Sequence, residues 1–271
     1  MRRVPEPIRS RSHPLVRRLR VLRKDGGRAE GLALLEGVKL LEEAVTAGAA
    51  VSEVVATSRG LRDERSRLAA EAAQGRGAAL HVVEESLFDG LSEMETSQGL
   101  LAVARRPAFP EQRLLHGMPL VVVAVGIQNP GNLGGLLRTA EAAAATGAYL
   151  TAGSADVFSW KALRGSMGSV FRLPHVAGMP AEAVLTRLKA RGVSVVAATT
   201  EGGVRYDAAD FRRPVAFLFG NEGAGLPEDL LRHADVRVAI PMHGAVESLN
   251  VGVAAGILLF EAARQRRGGP S

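Results

Sequence analysis

The run LVVVAVGI at residues 120–127 is the feature that most restricts how this chain can fold. It is apolar apart from one glycine and rich in valine, a pattern typical of a strand buried on both faces. A helix pattern follows at 131–147, and another apolar strand follows at 148–153. Because a strand is covered on both faces where helices flank a parallel sheet, this alternation predicts an α/β domain.

The same alternation continues to the carboxy terminus. The sequence predicts strands at 193–199, 215–220 and 236–242, short helices at 159–168 and 180–191, and a long apolar helix at 248–263. These elements extend the predicted parallel sheet and its helical cover.

A second, shorter alternation occupies the amino-terminal half. It predicts helices at 13–24, 38–48, 61–73 and 85–92 and strands at 32–37, 52–57, 80–83 and 99–106. This spacing is typical of a small α/β domain, and the three prolines within 105–119 mark a linker after it. We therefore predict a flexible basic tail at 1–12, one domain at 13–106, a linker at 107–118 and a second domain at 119–267.

Positive charge is concentrated at the amino terminus. Residues 1–30 contain ten Lys and Arg against three acidic residues, so they account for the whole net charge of +6. Such an arm suits a nucleic-acid phosphate backbone, and the alternative is a solvated, partly disordered tail. The candidate contacts are Arg11, Arg17, Arg18, Arg20, Arg23 and Lys24.

Composition excludes several kinds of site. The chain has no cysteine, which removes disulfides, thiolate metal sites and a cysteine nucleophile and is typical of a reducing cytoplasm. Its six histidines show no ligand-like spacing, so we expect no catalytic metal. The uncharged stretch 114–137 contains prolines, glycines and asparagines, which favours a strand and a loop over a membrane span.

Three predicted strands end in unusual polar loops. These are IQNPGNLGG (127–135), FGNEGAGLP (219–227) and PMHGAVESLN (241–250). In open parallel sheets ligands bind beyond the carboxyl ends of strands, and glycine lets a backbone approach a ligand closely. Neither GxGxxG after the first strand nor GxxxxGK[ST] is present, so the familiar phosphate-binding loops are excluded.

Together the loops resemble the motifs of the SpoU/TrmH family of RNA ribose 2′-O-methyltransferases, within the SPOUT class. NPGNLGGLLRTAEA (129–142) resembles the family's Asn-Gly-x-x-x-Arg-Thr-Ala segment, and LFGNEGAGL (218–226) and IPMHGAVESLNVGVAAGI (240–257) resemble its cofactor motifs. The amino-terminal half is similar to the family's substrate-binding domain. The chain departs from the family at Asn129, which is often Asp, and at Asn221, which is often Ser.

The resemblance implies a fold, a cofactor and a set of site residues. The expected architecture is an amino-terminal α/β RNA-binding domain and a carboxy-terminal parallel-sheet SPOUT domain with a trefoil knot, assembled as a homodimer in the cytoplasm. S-adenosyl-L-methionine is the implied cofactor, with Gly220, Ile240, Leu249 and Met242 as its binding residues. The implied catalytic residues are Arg138, Asn132, Glu222, Ser248 and Asn250.

Two questions stay open at this stage. Arg138 either activates the ribose hydroxyl or binds the neighbouring phosphate through two parallel hydrogen bonds. A third, equally natural alternative is an ion pair with Glu141, three positions further along the same helix. The implied reaction is methylation of a ribose 2′-hydroxyl, most naturally in ribosomal RNA because of the separate amino-terminal domain. The alternatives are a tRNA substrate or a non-catalytic RNA-binding or ribosome-assembly protein.

Overall fold

A computed structural model describes residues 6–243 and 245–267. They divide into two compact units. The first unit contains the described residues up to Ala108 together with Phe158–Phe171, and the second contains Phe109–Val157 and the residues from Arg172 onward. The mixed α/β architecture predicted from the sequence is confirmed.

The elements follow the predicted alternation, with four short additions at 169–172, 175–179, 204–205 and 228–231 that the sequence did not predict. The helices are α1 (Pro14–Asp25), α2 (Val38–Thr46), α3 (Glu64–Gly75), α4 (Glu85–Asp89), α5 (Pro130–Ala142), α6 (Trp160–Ser166), α7 (Ser169–Arg172), α8 (Ala181–Ala190), α9 (Glu228–Leu231) and α10 (Val251–Arg267). The strands are β1 (Leu32–Glu36), β2 (Val51–Thr57), β3 (Ala79–Val83), β4 (Leu100–Arg105), β5 (Leu120–Ala124), β6 (Gly147–Thr151), β7 (His175–Met179), β8 (Ser194–Thr199), β9 (Val204–Arg205), β10 (Val215–Phe219) and β11 (Val236–Ala239).

The first unit is built on a four-stranded sheet in the order β1-β4-β2-β3. Strand β4 is antiparallel to both of its neighbours, and β2 and β3 are parallel. Leu19 and Leu22 of α1 and Phe88 of α4 are buried in one cluster with side chains of the sheet. These leucines belong to the buried face of α1, whereas Arg17, Arg20 and Arg23 of the same helix are exposed.

Two predicted boundaries of this unit need correction. The predicted flexible tail begins to form structure by Ile8, which donates its N–H to Val82 O at 2.8 Å and accepts the Glu84 N–H at 3.0 Å. Residues 1–5 lie outside the described part of the chain. The segment 158–171, assigned by sequence to the second domain, groups with the first unit, where the Phe158 ring lies 4.7 Å from the Arg106 guanidinium.

The second unit contains a seven-stranded sheet in the order β7-β6-β5-β10-β8-β11-β9. Every strand pairing in it is parallel, as the sequence predicted. Strands β5 and β10 are adjacent at the centre, and all their residues are buried. Helices α5 and α10 pack against each other.

Part of the predicted linker belongs to the second unit. Glu111 accepts the Tyr149 hydroxyl at 2.7 Å and pairs with Arg187 at 2.6 Å, which fastens residues 109–118 to this unit. Burial, reinforced by the bond to Glu111, raises the pKa of Tyr149 well above its ordinary value and keeps the phenol neutral. Within the described ranges, no helix has the length and apolar character needed to cross a membrane.

Candidate active site

The loop after β5 leads directly into helix α5. Asn129 caps this helix, because its side-chain oxygen accepts the backbone N–H groups of Gly131 at 2.9 Å and Asn132 at 3.1 Å. Pro130 occupies the first turn, where a missing N–H costs nothing. This capping fixes the start of α5 and thereby the position of Asn132 at the carboxyl edge of the sheet.

The loop after β10 folds back on itself at Gly220. A Cβ at this position would lie 2.2 Å from the carbonyl carbon of Gly225, so only glycine fits. Asn221 stabilises the turn by accepting the Gly223 N–H at 2.9 Å. Its NH2 group donates to Gly126 O at 2.9 Å and joins this loop to the one after β5.

A chain of side-chain hydrogen bonds connects all three loops. The oxygen of Asn250 accepts the Gly252 N–H at 2.9 Å at the start of α10, and its NH2 group donates to the Asn132 oxygen at 3.0 Å. The NH2 group of Asn132 in turn donates to Glu222 at 2.7 Å. Three of the residues predicted for one site are therefore in direct contact, although they are 90 and 118 positions apart in sequence.

A cavity of about 400 Å³ opens beside these loops. This volume lies within the range of small-molecule and cofactor sites, about 300–1,000 Å³. All four predicted cofactor residues line it, as do Glu222 and Ser248. Ser248 is exposed and, among the described residues, has no hydrogen-bond partner. The four cofactor residues are Gly220, Ile240, Met242 and Leu249.

The carboxyl end of β8 contributes wall residues that were not predicted. Ala198, Thr199 and Thr200 line the cavity because β8 lies between β10 and β11 in the sheet. The predicted strand at 193–199 was the available signal, but strand order cannot be read from its apolar pattern. The walls combine apolar side chains with the backbone of the Gly220 turn, a mixture typical of small-molecule and cofactor sites.

Arg138 lies on α5 and is exposed. It does not line the cavity, and within the described ranges it forms no ion pair or side-chain hydrogen bond. The alternative of an ion pair with Glu141 is wrong, since Glu141 binds Arg172 through two contacts, Nε to Oε1 at 2.6 Å and Nη2 to Oε2 at 2.9 Å. The Arg138 guanidinium is therefore available to a ligand.

The six predicted nucleic-acid contacts of the first unit fall into two groups. Arg18 pairs with Glu53 and Glu30, and Arg23 binds Glu93 at 2.6 Å, so both carry structural ion pairs. The other four are exposed and have no side-chain partner among the described residues. These four are Arg11, Arg17, Arg20 and Lys24.

Over residues 6–243 and 245–267, no three His, Cys, Asp or Glu side chains cluster in a way that could hold a metal ion. The site thus consists of a cofactor-sized cavity and an amide–carboxylate chain beside it, and the helix that carries Asn132 also carries the exposed guanidinium of Arg138. The cavity can hold a small organic ligand, and the guanidinium offers a positive charge.

Comparison with known proteins gives matches over almost the whole chain. Residues 119–260 match the SpoU rRNA Methylase family, and residues 13–102 match the MRM3-like substrate binding domain. The 23S rRNA (guanosine(2553)-2′-O)-methyltransferase RlmP of Bacillus subtilis (strain 168) is 35% identical over 84% of this chain and 86% of its own length.

Solved structures agree with these sequence matches. The AdoMet-bound rRNA methyltransferase from Sinorhizobium meliloti superimposes with a TM-score of 0.83 at 32% identity, covering 98% of this chain and 99% of that one. The A. aeolicus TrmH/SpoU tRNA modifying enzyme, at 29% identity and a TM-score of 0.51, covers 58% of this chain and 80% of its own.

Proposed function

Because the chain belongs to the SpoU rRNA methylase family, we propose that it transfers the methyl group of S-adenosylmethionine to a ribose 2′-hydroxyl of ribosomal RNA. It is an RNA 2′-O-ribose methyltransferase of the SPOUT class. The observation that best supports the proposed site is the hydrogen-bond chain from Glu222 through Asn132 to Asn250, which brings three loops together beside a cavity of cofactor size.

The cavity residues hold the methyl donor. When bound, S-adenosylmethionine supplies an electrophilic methyl group on a sulfonium. The tight turn at Gly220 offers backbone donors and acceptors to the nucleoside, while Ile240, Met242 and Leu249 provide apolar contact. Ser248 and Glu222 line the same cavity and orient the incoming hydroxyl and the loops.

Arg138 acts as a phosphate fork in this proposal. A guanidinium is a poor base but forms paired, charge-assisted hydrogen bonds with phosphate oxygens. Its exposure and the absence of a carboxylate partner for it among the described residues support this role. By fixing the phosphate beside the target ribose, Arg138 would restrict the orientation of the 2′-hydroxyl relative to the bound methyl donor, and such positioning can supply much of the rate gain.

The first unit binds the RNA substrate. Its match to a substrate binding domain supports this assignment, as do Arg17, Arg20 and Lys24 of α1, which are exposed and have no side-chain partner in the described part of the chain. A tRNA substrate is the second candidate. The A. aeolicus tRNA modifying enzyme covers just 58% of the chain, whereas the ribosomal RNA methyltransferase from Sinorhizobium meliloti covers 98% of it, first unit included, which favours ribosomal RNA.

The protein is proposed to act as a homodimer in the cytoplasm. Val253 and Phe260 are spaced by seven residues on one face of α10 and are 52% and 46% exposed, and Val246 in the preceding loop is 55% exposed. A second copy of the chain would cover this apolar face beside the cavity. The trefoil knot of the SPOUT class stays a prediction for the second unit.

The dimer is tested by measuring mass in solution. We expect Phe260→Glu to give a monomer by light scattering, because a charge would be placed in the interface. Leu68→Glu, at an equally exposed apolar position on α3, serves as the control and should leave the dimer intact. A monomeric wild-type protein contradicts the dimer.

Methyl transfer is tested with labelled S-adenosylmethionine and ribosomal RNA from cells that lack the protein, with the modified ribose located by its resistance to alkaline cleavage. Arg138→Ala should lower kcat about 10²–10³-fold while the cofactor still binds, as expected for the loss of a positioned cationic donor. Arg191→Ala, an exposed arginine on the same unit, is the control. Near-normal turnover of Arg138→Ala contradicts the role of Arg138, and absence of cofactor binding to the wild type would favour the non-catalytic alternative.

A further inference from the structure

Arg138 and Glu141 lie three positions apart on α5, a spacing at which side chains of a helix are neighbours. An arginine and a glutamate so placed normally attract each other. In this structure the Glu141 carboxylate instead faces Arg172, with contacts of 2.6 Å and 2.9 Å to two guanidinium nitrogens. The pair is about two-thirds buried, with side-chain exposures of 32% for Arg172 and 30% for Glu141.

This arrangement has an electrostatic consequence for the exposed guanidinium of Arg138. The charge of Glu141 is compensated by Arg172, so it neither attracts Arg138 nor repels an approaching phosphate. Without Arg172, an uncompensated carboxylate would stand one helical turn from Arg138. It would compete with the phosphate for the guanidinium and also oppose the phosphate charge directly.

We propose that Arg172 is a positioning residue for methyl transfer: it holds Glu141 away from Arg138, and so keeps the Arg138 guanidinium available to the RNA phosphate. The inference rests on the proposed function, since it assigns Arg172 a role through Arg138. Arg172 itself is not among the residues that line the cavity. A purely structural role, in which the same ion pair only ties α5 to the end of α7, is the competing explanation.

Four variants separate the two explanations: Arg172→Ala, Glu141→Gln, the double variant with both changes, and Arg138→Ala. Each is assayed for kcat and KM with ribosomal RNA and for S-adenosylmethionine affinity by calorimetry. We expect Arg172→Ala to lose about tenfold in kcat/KM for RNA. This estimate lies between two limits for the interaction of one unit charge with another about 6 Å away. That interaction changes the affinity for RNA about 3-fold at a dielectric constant of 80 and about 100-fold at a dielectric constant of 20.

The double variant is the decisive measurement. Because a glutamine side chain carries no charge, adding Glu141→Gln to Arg172→Ala should restore kcat/KM to within about threefold of the wild type, although the ion pair is absent from both variants. Glu141→Gln alone should stay near the wild-type value. The deficit of Arg172→Ala should also shrink at high salt, since screening weakens the exposed carboxylate.

The outcomes are distinguishable. If the double variant is as impaired as Arg172→Ala, the ion pair is structural and the inference is wrong. If Arg172→Ala is as active as the wild type, Glu141 does not compete with the phosphate and the inference is also wrong. Failure of the proposed function itself would show differently, as a wild type without methyl transfer or an Arg138→Ala variant with full activity.

Discussion

Replacing Asn250 with aspartate tests the direction of the hydrogen-bond chain that joins the three loops. The Asn250 oxygen accepts the Gly252 N–H, so its NH2 group must face Asn132. The amide of Asn132 is thereby oriented with its own NH2 group toward Glu222. Aspartate keeps the acceptor at the start of α10 but replaces the NH2 donor by a second oxygen.

The cost of this substitution follows from the geometry. The second oxygen of the introduced aspartate would stand 3.0 Å from the Asn132 oxygen, where the NH2 group of Asn250 now donates. If the Asn132 amide rotates to relieve this conflict, its oxygen meets the Glu222 carboxylate instead. One hydrogen bond is lost in either arrangement, which costs about 1–2 kcal/mol, a factor of about 5–30 in an equilibrium constant.

Calorimetric titration with S-adenosylmethionine measures the effect, because the chain organises loops that line the cavity. We expect Asn250→Asp to bind about 5- to 30-fold more weakly, with an unfolding temperature lowered only by the lost bond to Asn132, since aspartate is as good a helix cap as asparagine. Adding Glu222→Gln supplies a donor at the other end, so the chain can form in the reverse direction and affinity should recover. Equal affinities of the single and double variants would refute this reasoning.

Three further changes test other parts of the second unit. Asn221→Asp loses the donor to Gly126 O and sets a carboxylate against that carbonyl, so cofactor affinity should fall about tenfold by calorimetry. Gly220→Ala places a Cβ 2.2 Å from the backbone of Gly225, so we expect cofactor binding to be lost and the unfolding temperature to fall. Burial lowers the pKa of His175, so the folded protein favours the neutral imidazole. The free energy of unfolding should therefore keep the full contribution of this residue above about pH 6.5 and decrease as the pH falls below that value. In denaturant unfolding measured at several pH values, His175→Gln should flatten this decrease.

Much of the fold could be predicted because the central strands carry a local signal. Strands β5 and β10 are fully buried, and their uninterrupted apolar runs reflect that burial directly. Strand β7 was not predicted, because it lies at the edge of the sheet and buries His175 alone of its five residues. An edge strand needs no apolar run, so its sequence resembles a loop.

The grouping of residues 158–171 with the first unit has no local signature either. The sequence correctly predicted a short helix at 159–168, but it did not predict which of the two units this helix would pack in. That choice depends on tertiary contacts such as Arg106 against Phe158, between residues far apart in the chain. The unit to which a segment belongs is therefore decided by tertiary packing and cannot be read from the hydrophobic periodicity of its own sequence.

The predicted site residues illustrate the same distinction at the level of single side chains. Their loops could be predicted to meet, because carboxyl ends of parallel strands share one edge of a sheet. The partner of Glu141 could not be predicted in this way. An ion pair at i and i+3 on a helix stabilises by about 0.2–0.5 kcal/mol, and this spacing favoured Arg138. The structure favours Arg172, 31 positions away, since a paired, partly buried contact is stronger than an exposed one within a helix. A long-range ion pair thus decides whether the exposed arginine on α5 is neutralised by its own helix or is available to RNA.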